Sequence, residues 1–332
     1  MSGSLRTPLC ELLGIEFPIV QAPLGGIVAP ELAAAVSEAG GLGTLPLAWA
    51  GEQQLRDEVR AVRKRTARPF GANLVLEWDM RDRLRAVLEE GVRIVSLFWG
   101  DPAPYVPIAH NAGAVVMHTV GSAEEACRAV DAGVDVVVAQ GLEAGGHVWG
   151  QVATMALVPR VVDAVAPVPV IAAGGIADGR GVAAALCLGA SGVWVGTRFV
   201  LAAESLAHER YRERLIDAVE TDTVYTTLFD GGWPDAPLRT LRTSTVERWE
   251  AAGRPGPGQR PGEGEVVARR ATGEGIERYD SAPPNRNHSG DVEALCFYAG
   301  QGVGLAGRVQ PAAEIVAELA SGAQDVLGRV AR

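Results

Sequence analysis

The sequence predicts an α/β chain, a (β/α)8 TIM barrel with an inserted capping segment after strand eight. Three observations predict it. Short apolar runs recur along residues 1–200, helical patterns separate them, and polar or glycine-rich ends of the runs gather toward one face. The chain has 332 residues, 48% of them hydrophobic, enough to bury a large core.

The apolar runs are 19–22, 42–47, 70–76, 93–98, 114–118, 134–139, 168–173 and 192–199. Each is rich in Val, Ile or Leu and most lack polar alternation. Strands buried on both faces of a parallel sheet read this way. Helical patterns cover 30–39, 52–65, 80–90, 104–111, 123–132, 159–165 and 179–188. Most carry apolar residues at three- and four-residue spacing. Several stop at a glycine (Gly40, Gly91, Gly113, Gly133, Gly189), which accepts the left-handed turn that ends a helix. Ser122 followed by Glu125 starts the fifth helix as a capping box. Units repeat about every 20–30 residues, and each holds a buried strand, which excludes a helical solenoid.

After Phe199 the rhythm breaks. A helical stretch over 204–219 is followed by a polar segment, 221–250, bearing Trp and Pro, and by a Gly/Pro-rich surface loop, 253–264. A glycine-rich stretch, 298–304, precedes a last helix over 311–321, opened by Pro311. The expected division is a barrel domain, 1–200; a capping, substrate-side segment, 201–300; and a C-terminal loop and helix, 301–332, closing onto the barrel.

Composition removes several function classes. The formal net charge of −10 repels phosphate backbones, so nucleic acid is not an expected partner. Arg63-Lys64-Arg65 reads as a solvated helix face. Cys10, Cys127, Cys187 and Cys296 form no C-x-x-C pair, which argues against a zinc or thiol-redox site, and no metal is expected. Cys127 and Cys187 sit among Ala and Val as small buried hydrophobes. No signal peptide or membrane-spanning run is evident, and the expected setting is the cytoplasm. Oligomeric state stays open, a homodimer among the options.

The strand ends carry the chemistry. They are Gln21-Ala-Pro-Leu-Gly-Gly26, Gly71-Ala-Asn73, His118-Thr119, Gln140-Gly-Leu-Glu-Ala-Gly-Gly-His147, Ala172-Ala-Gly-Gly-Ile176 and Val195-Gly-Thr197. In a barrel the carboxyl ends of the strands form the active face. Gly174-Gly175 precedes a helix opening near Asp178-Gly179, and Gly196-Thr197 follows strand eight. Loops after strands seven and eight, with a helix N-terminus between them, suit a phosphate group. Gly300-Gln-Gly-Val-Gly-Leu lacks the strand and helix of a dinucleotide fingerprint and reads as loop backbone approaching a ligand. His147 follows two glycines at a strand end, where an imidazole can donate a hydrogen bond or take a proton. A lone turn histidine is the competing reading; the neighbouring phosphate-type strand ends favour function. His118 is the second candidate. His110, His208 and His288 read as structural, and Glu143 as orienting its loop. No nucleophile elbow or His-Glu-x-x-His motif appears.

These strings resemble the nitronate monooxygenase family, formerly 2-nitropropane dioxygenases, over about residues 8–322. The Glu-Ala-Gly-Gly-His string is shared with the related FMN-dependent enoyl-[acyl-carrier-protein] reductases. The resemblance implies FMN, with the backbones of Ala22, Pro23 and Leu24 along the flavin ring. Asn73 and Gln140 would bond the ring or ribityl chain. Gly145, Gly175, Gly179, Gly196 and Thr197 would hold the phosphate end. It also implies His147 near flavin N5 and the substrate, with His118, Trp149, Tyr298 and Gln301 as further substrate-side candidates. The implied reaction oxidises an anionic nitronate with O2 to a carbonyl compound and nitrite. Three departures concern the substrate: Leu24 replaces a common methionine, Val148-Trp149 separate His147 from Gly150 where one residue is usual, and the 220–265 segment, with Trp233 and its Gly/Pro run, is longer than in the simplest members. The alternative is an NAD(P)H-dependent FMN reductase of an enoyl thioester, for which Trp233 and the long cap suit a bulky acyl chain. A non-catalytic FMN or small-molecule binder is the third reading.

Overall fold

Eight short strands, buried on both faces, pair in parallel in a computed structural model that describes residues 5–330. They are β1 (Ile19–Gln21), β2 (Gly43–Pro46), β3 (Phe70–Val75), β4 (Ile94–Phe98), β5 (Val115–Val120), β6 (Val136–Gln140), β8 (Val170–Ala173) and β9 (Gly192–Val195). The two-residue β7 (Gly146–His147) joins another sheet. Spatial order is β1-β9-β8-β6-β5-β4-β3-β2. The ring closes through Leu42, whose N–H donates to Ile19 O and whose carbonyl accepts from Gln21 N, both at 2.9 Å. The fold is the expected TIM barrel.

Helices α2 (Pro30–Glu38), α3 (Glu52–Arg63), α4 (Arg81–Glu89), α5 (Val106–Asn111), α6 (Ala123–Asp131), α7 (Thr154–Val165) and α8 (Gly179–Cys187) cover the outside. One apolar layer lies between strands and helices, and a second fills the barrel. The inner plug includes Val20, Leu42, Ile94, Met117, Val138 and Ile171. Its floor is α1 (Pro8–Leu13), which the hydrophobic rhythm missed because no strand precedes it. Pro8 opens this helix and Gly14, at φ 68°, closes it. Leu9 fits against Gly192, where a Cβ would lie 2.5 Å from Leu9 Cδ2.

Several boundaries differ from expectation. The eighth barrel strand ends at Val195, and α9 (Thr197–Val200) starts where a strand was expected. Helix α7 begins at Thr154 and contains Pro159, whose missing donor falls against the exposed turn at Met155. The last helix, α12 (Ala312–Val330), is longer than the predicted stretch because it packs on α8 and α2. Cys127 and Cys187 are exposed, since Ala126 and Ala129 on α6, and Val182, Ala183 and Ala185 on α8, take the buried faces. Cys10 and Cys296 are the buried pair.

Beyond α9 come α10 (Glu209–Asp217), β10 (Thr223–Thr226), β11 (Leu238–Leu241), α11 (Ser244–Ala251), β12 (Val266–Arg269), β13 (Gly275–Glu277) and β14 (Ser289–Gly290). The polar stretch 221–250 therefore holds two strands. β11 pairs antiparallel with β10 on one side and with β7 on the other. A second small sheet is β13-β12-β14. Residues 253–264 hold turns but no helix or strand. Among the described residues no helix is long and apolar enough to cross a membrane.

Candidate active site

Strand alternation builds the floor of the barrel mouth. Residues two apart in a strand share a face. Leu42, Ile94, Met117 and Val138 belong to the inner plug, so Thr44, Ser96, Thr119 and Gln140 point inward one layer higher. Asn73 joins this layer and donates through Nδ2 to Ser96 O and Oγ, each at 3.2 Å. Thr44 Oγ1 is buried with no partner among the protein atoms. An apolar plug capped by a polar layer can floor a polar ring system.

His118 lies outside this layer. It shares its face with Val116 and Val120, which pack between barrel and helices. Strand β5 runs two residues past it, so it does not end the strand. Burial lowers its pKa from 6.5 to about 4, opposed by a hydrogen bond with the Leu97 backbone and by Asp101. It is a buried histidine on the strand face that packs toward the helix layer. His110 pairs with Asp135 at 2.9 Å, His208 caps α10 by accepting from Arg210 N, and His288 Nδ1 accepts from Asn285 N.

The loop from β6 to His147 is held from several directions. The Glu143 carboxylate accepts from Thr154 N and Thr154 Oγ1, both at 2.9 Å, and its backbone carbonyl accepts from Gln301 N at 2.9 Å. The buried Arg239 guanidinium donates through Nε and Nη2 to Leu142 O, at 3.1 and 3.0 Å. Gly146 turns at φ 83°. His147 then pairs opposite Leu238 in β11, and Gln140 Nε2 donates to His147 O at 3.2 Å. His147 is half-buried, and its Nε2 has neither exposed surface nor a partner. Burial alone lowers its pKa from 6.5 to about 3, so the ring is neutral at pH 7. An unpaired nitrogen in a dry site is free to bond a ligand.

Aromatic rings surround this imidazole. Trp233 stacks on it with centroids 4.2 Å apart and planes 31° apart, and Tyr298 flanks it at 5.7 Å. Trp233 in turn touches Trp99 at 4.9 Å, Trp78 at 5.5 Å, Trp49 at 6.1 Å and Phe98 at 6.2 Å. Trp149 packs on Trp99 at 4.7 Å and donates through Nε1 to Glu125. Five of the seven tryptophans thus line one side of the mouth. The sequence reading named Trp149 and Trp233 but missed Trp49, Trp78, Trp99 and Phe98. Each follows a strand by a few residues at most, which was the available signal.

The remaining candidate residues fall into two groups. Ala22 N donates to Val195 O, and a Cβ on Gly196 would lie 3.6 Å from Ala22 and 3.5 Å from Leu24. Pro23 lies between them in the chain. Thr197 Oγ1 accepts from Gly300 N at 3.0 Å, and Gly145 lies so close that its Cβ would meet Gly300 N at 2.5 Å. Gly302 sits likewise on Gly175 O, at 2.6 Å. The glycine run 300–304 is therefore a short 3-10 turn pressed onto the loops after β6 and β8. Gly174 and Gly175, at φ 109° and 70°, hold a turn that other residues resist. Gly179 belongs to the second group. Its Cβ would strike Gly322 at 2.4 Å, so packing of α8 on α12 accounts for this glycine. Asp178 caps α8 by accepting from Arg180 N and Gly181 N. The Gln301 side chain is exposed and only its backbone ties into the loop, whereas Tyr298 is half-buried with its hydroxyl donating to Ser281 O at 2.7 Å.

A family model, nitronate monooxygenase, matches residues 6–83 and 78–322. The chain belongs to that family. A relative from Mycobacterium tuberculosis, the (3aS,4S,5R,7aS)-5-hydroxy-7a-methyl-1-oxo-octahydro-1H-indene-4-carboxyl-CoA dehydrogenase, is 43% identical over 253 residues, 75% of this chain and 70% of the relative. A probable nitronate monooxygenase of Staphylococcus aureus is 35% identical over 308 residues, 73% of this chain and 86% of the relative. The solved structure of FabK from Thermotoga maritima superposes with a TM-score of 0.85 at 35% identity, covering 98% of each chain. Nitroalkane oxidase from Streptomyces ansochromogenes superposes at 0.76 and 28% identity, covering 97% of this chain and 99% of that one. The family is one of oxidoreductases, and the chain is an enzyme of it.

Proposed function

We propose that the chain is an FMN-dependent oxidoreductase acting on the carbon beside the carbonyl of an acyl thioester that carries a bulky apolar group. The observation that carries this reading is the tryptophan wall around a half-buried, neutral His147 with an unpartnered Nε2. Aromatic rings offer large apolar area with little conformational freedom to lose, which suits a wide hydrophobic group. The fused-ring CoA substrate in the name of the 43% identical relative supports the same class. The residues also fit a flavin. Thr44, Asn73, Ser96 and Gln140 would face its polar ring edge, Ala22, Pro23 and Leu24 would lie along it, and Gly145, Gly175, Gly196 and Thr197 would hold its phosphate. In this reading residues 1–200 hold the cofactor, 201–300 shape the substrate side, and 301–332 close the phosphate side.

Bound FMN would supply a two-electron acceptor or donor. His147 can hold a proton at Nε2 or donate one from it, and its burial makes the imidazolium stable only when negative charge develops beside it. Trp233 and Tyr298 keep water from the ring and fix its plane. Arg239 and Glu143 keep the loop in place.

Nitronate oxidation is the second reading, favoured by the family match and the S. aureus relative. There the free Nε2 would bond the anionic nitro group and O2 would be the second substrate. One flavin-loaded sample decides between them. Under anaerobic conditions it is mixed separately with a ring-bearing acyl-CoA, an alkyl nitronate and NADH, and the flavin's visible absorption is followed. Bleaching by the acyl-CoA supports dehydrogenation. Bleaching by NADH with re-oxidation by the enoyl thioester supports the reductive direction. Bleaching only by nitronate, with nitrite released in air, overturns the thioester reading. A colourless protein that takes up no FMN overturns both.

A further inference from the structure

The loop before β11 places Trp233. Its ends are fixed by backbone hydrogen bonds. At one end Gly231 N donates to Tyr279 O at 2.9 Å, and Gly231 O accepts from Ser281 Oγ at 2.9 Å. A Cβ on Gly231 would lie 2.7 Å from Asp280 Cα, so this glycine lets the two backbones touch. At the other end Val148 N, next to His147, donates to Pro237 O at 2.9 Å. Between the anchors the chain turns through Gly232 at φ 85° and Asp235 at φ 56°, a conformation that a non-glycine residue keeps only when its surroundings impose it. The result is an indole 2% exposed, while its neighbours at the rim, Trp49 and Trp78, are 54% and 36% exposed.

We infer that Trp233 is a positioning residue that sets the specificity of this site: it seals one face of the His147 imidazole and holds the exposed rim indoles of Trp49 and Trp78 as the platform for a flat ring on the substrate. Two observations carry this. Among the described aromatic residues, Trp233 alone stacks on His147 at close range and also touches the four other aromatic rings nearest the rim. With that face covered and Nε2 itself without exposed surface, the imidazole of the free protein is shielded. A ring that enters the mouth meets the exposed Trp49 and Trp78, which Trp233 holds, and buries apolar area against them. The part of this inference that concerns substrate rings rests on the proposed function; the sealing of His147 does not.

The test uses the flavin-loaded enzyme and its Trp233→Ala and Trp233→Phe variants, with folding checked by circular dichroism. The first arm is carbethoxylation of histidines by diethyl pyrocarbonate, mapped by peptide mass spectrometry, with the exposed His110 as internal reference. His147 should be protected in the wild type and in Trp233→Phe. In Trp233→Ala it should react at a rate approaching that of His110. Equal protection of His147 in all three proteins overturns the sealing role. The second arm compares kcat/KM for ring-bearing and straight-chain substrates, taken from whichever class the wild type oxidises in the anaerobic test. The ring preference should fall about tenfold in Trp233→Ala, chiefly through KM, and largely return in Trp233→Phe. An unchanged preference overturns the platform role. If nitronates rather than thioesters are oxidised, the thioester reading fails while both arms still report on Trp233.

Discussion

Acidification should weaken this fold through two named histidines. In the unfolded chain an imidazole takes up a proton as the pH falls through about 6.5. In the folded protein His147 resists protonation down to about 3 and His118 down to about 4, because burial penalises the charged ring. Both folded values are lowered, so the unfolded state binds more protons below pH 6.5. Stability is then lost as the pH falls from 6.5 toward these values, at about 1.4 kcal/mol per pH unit for each group. Between pH 7 and pH 5 the loss is about 2 kcal/mol for each histidine and about 4 kcal/mol for the pair. The assay is urea unfolding at constant ionic strength at both pH values, for the wild type, His147→Gln, His118→Gln and the double variant. Each single change should remove about 2 kcal/mol from the pH-dependent difference, and the double change about 4 kcal/mol. Carboxylates common to all four proteins cancel in the comparison. A His147→Gln protein with the full wild-type difference would refute the claim that this ring is buried and neutral.

Four further outcomes follow from the loop that carries His147 and the residues that hold it. Gly145→Ala puts a Cβ 2.5 Å from Gly300 N, with backbone on both sides, and should cost at least about 2 kcal/mol in urea unfolding. Gly146→Ala meets no atom but keeps φ at 83°, so its cost should stay near about 1 kcal/mol. Arg239→Met leaves Leu142 O without its guanidinium partner; stability should fall by about 1–3 kcal/mol, and kcat should fall while flavin content is retained. Glu143→Gln weakens two charge-assisted bonds from Thr154, and a loss of about 1–2 kcal/mol should appear as a lower melting temperature.

The barrel was legible because its strands are buried on both faces and therefore read as unbroken apolar runs. Gly145-Gly146-His147 was legible as a glycine turn that carries a histidine after a strand; the packing of Gly145 on Gly300 was not. Other features were hidden for physical reasons. Thr44, Ser96 and Thr119 look like ordinary strand residues until the plug reveals which alternate set faces inward. The same ambiguity holds at His118, because the apolar run was ended there, two residues before β5 ends. Trp49, Trp78, Trp99, Trp149 and Trp233 are scattered over the sequence, and only barrel closure brings them to one rim. Gly179 matched a phosphate motif, yet contact with Gly322 already requires a glycine there. Strands β10 and β11 escaped notice because polar residues dominate their surroundings and one of their partners, β7, is only two residues long.

That two-residue partner has a consequence for exchanging parts between relatives. Because Leu238 sits opposite His147 and Arg239 opposite Gly146, shifting β11 by one position would turn its side chains over. It would also drag Pro237 away from Val148. A chimera that imports another member's segment for residues 201–300 must therefore inherit the donor's 141–149 loop with it. A single breakpoint before residue 141 respects this coupling; one anywhere between β7 and residue 201, inside α7 or α8 included, severs it. The segment that carries β11 and the loop that carries His147 are therefore inherited as one unit.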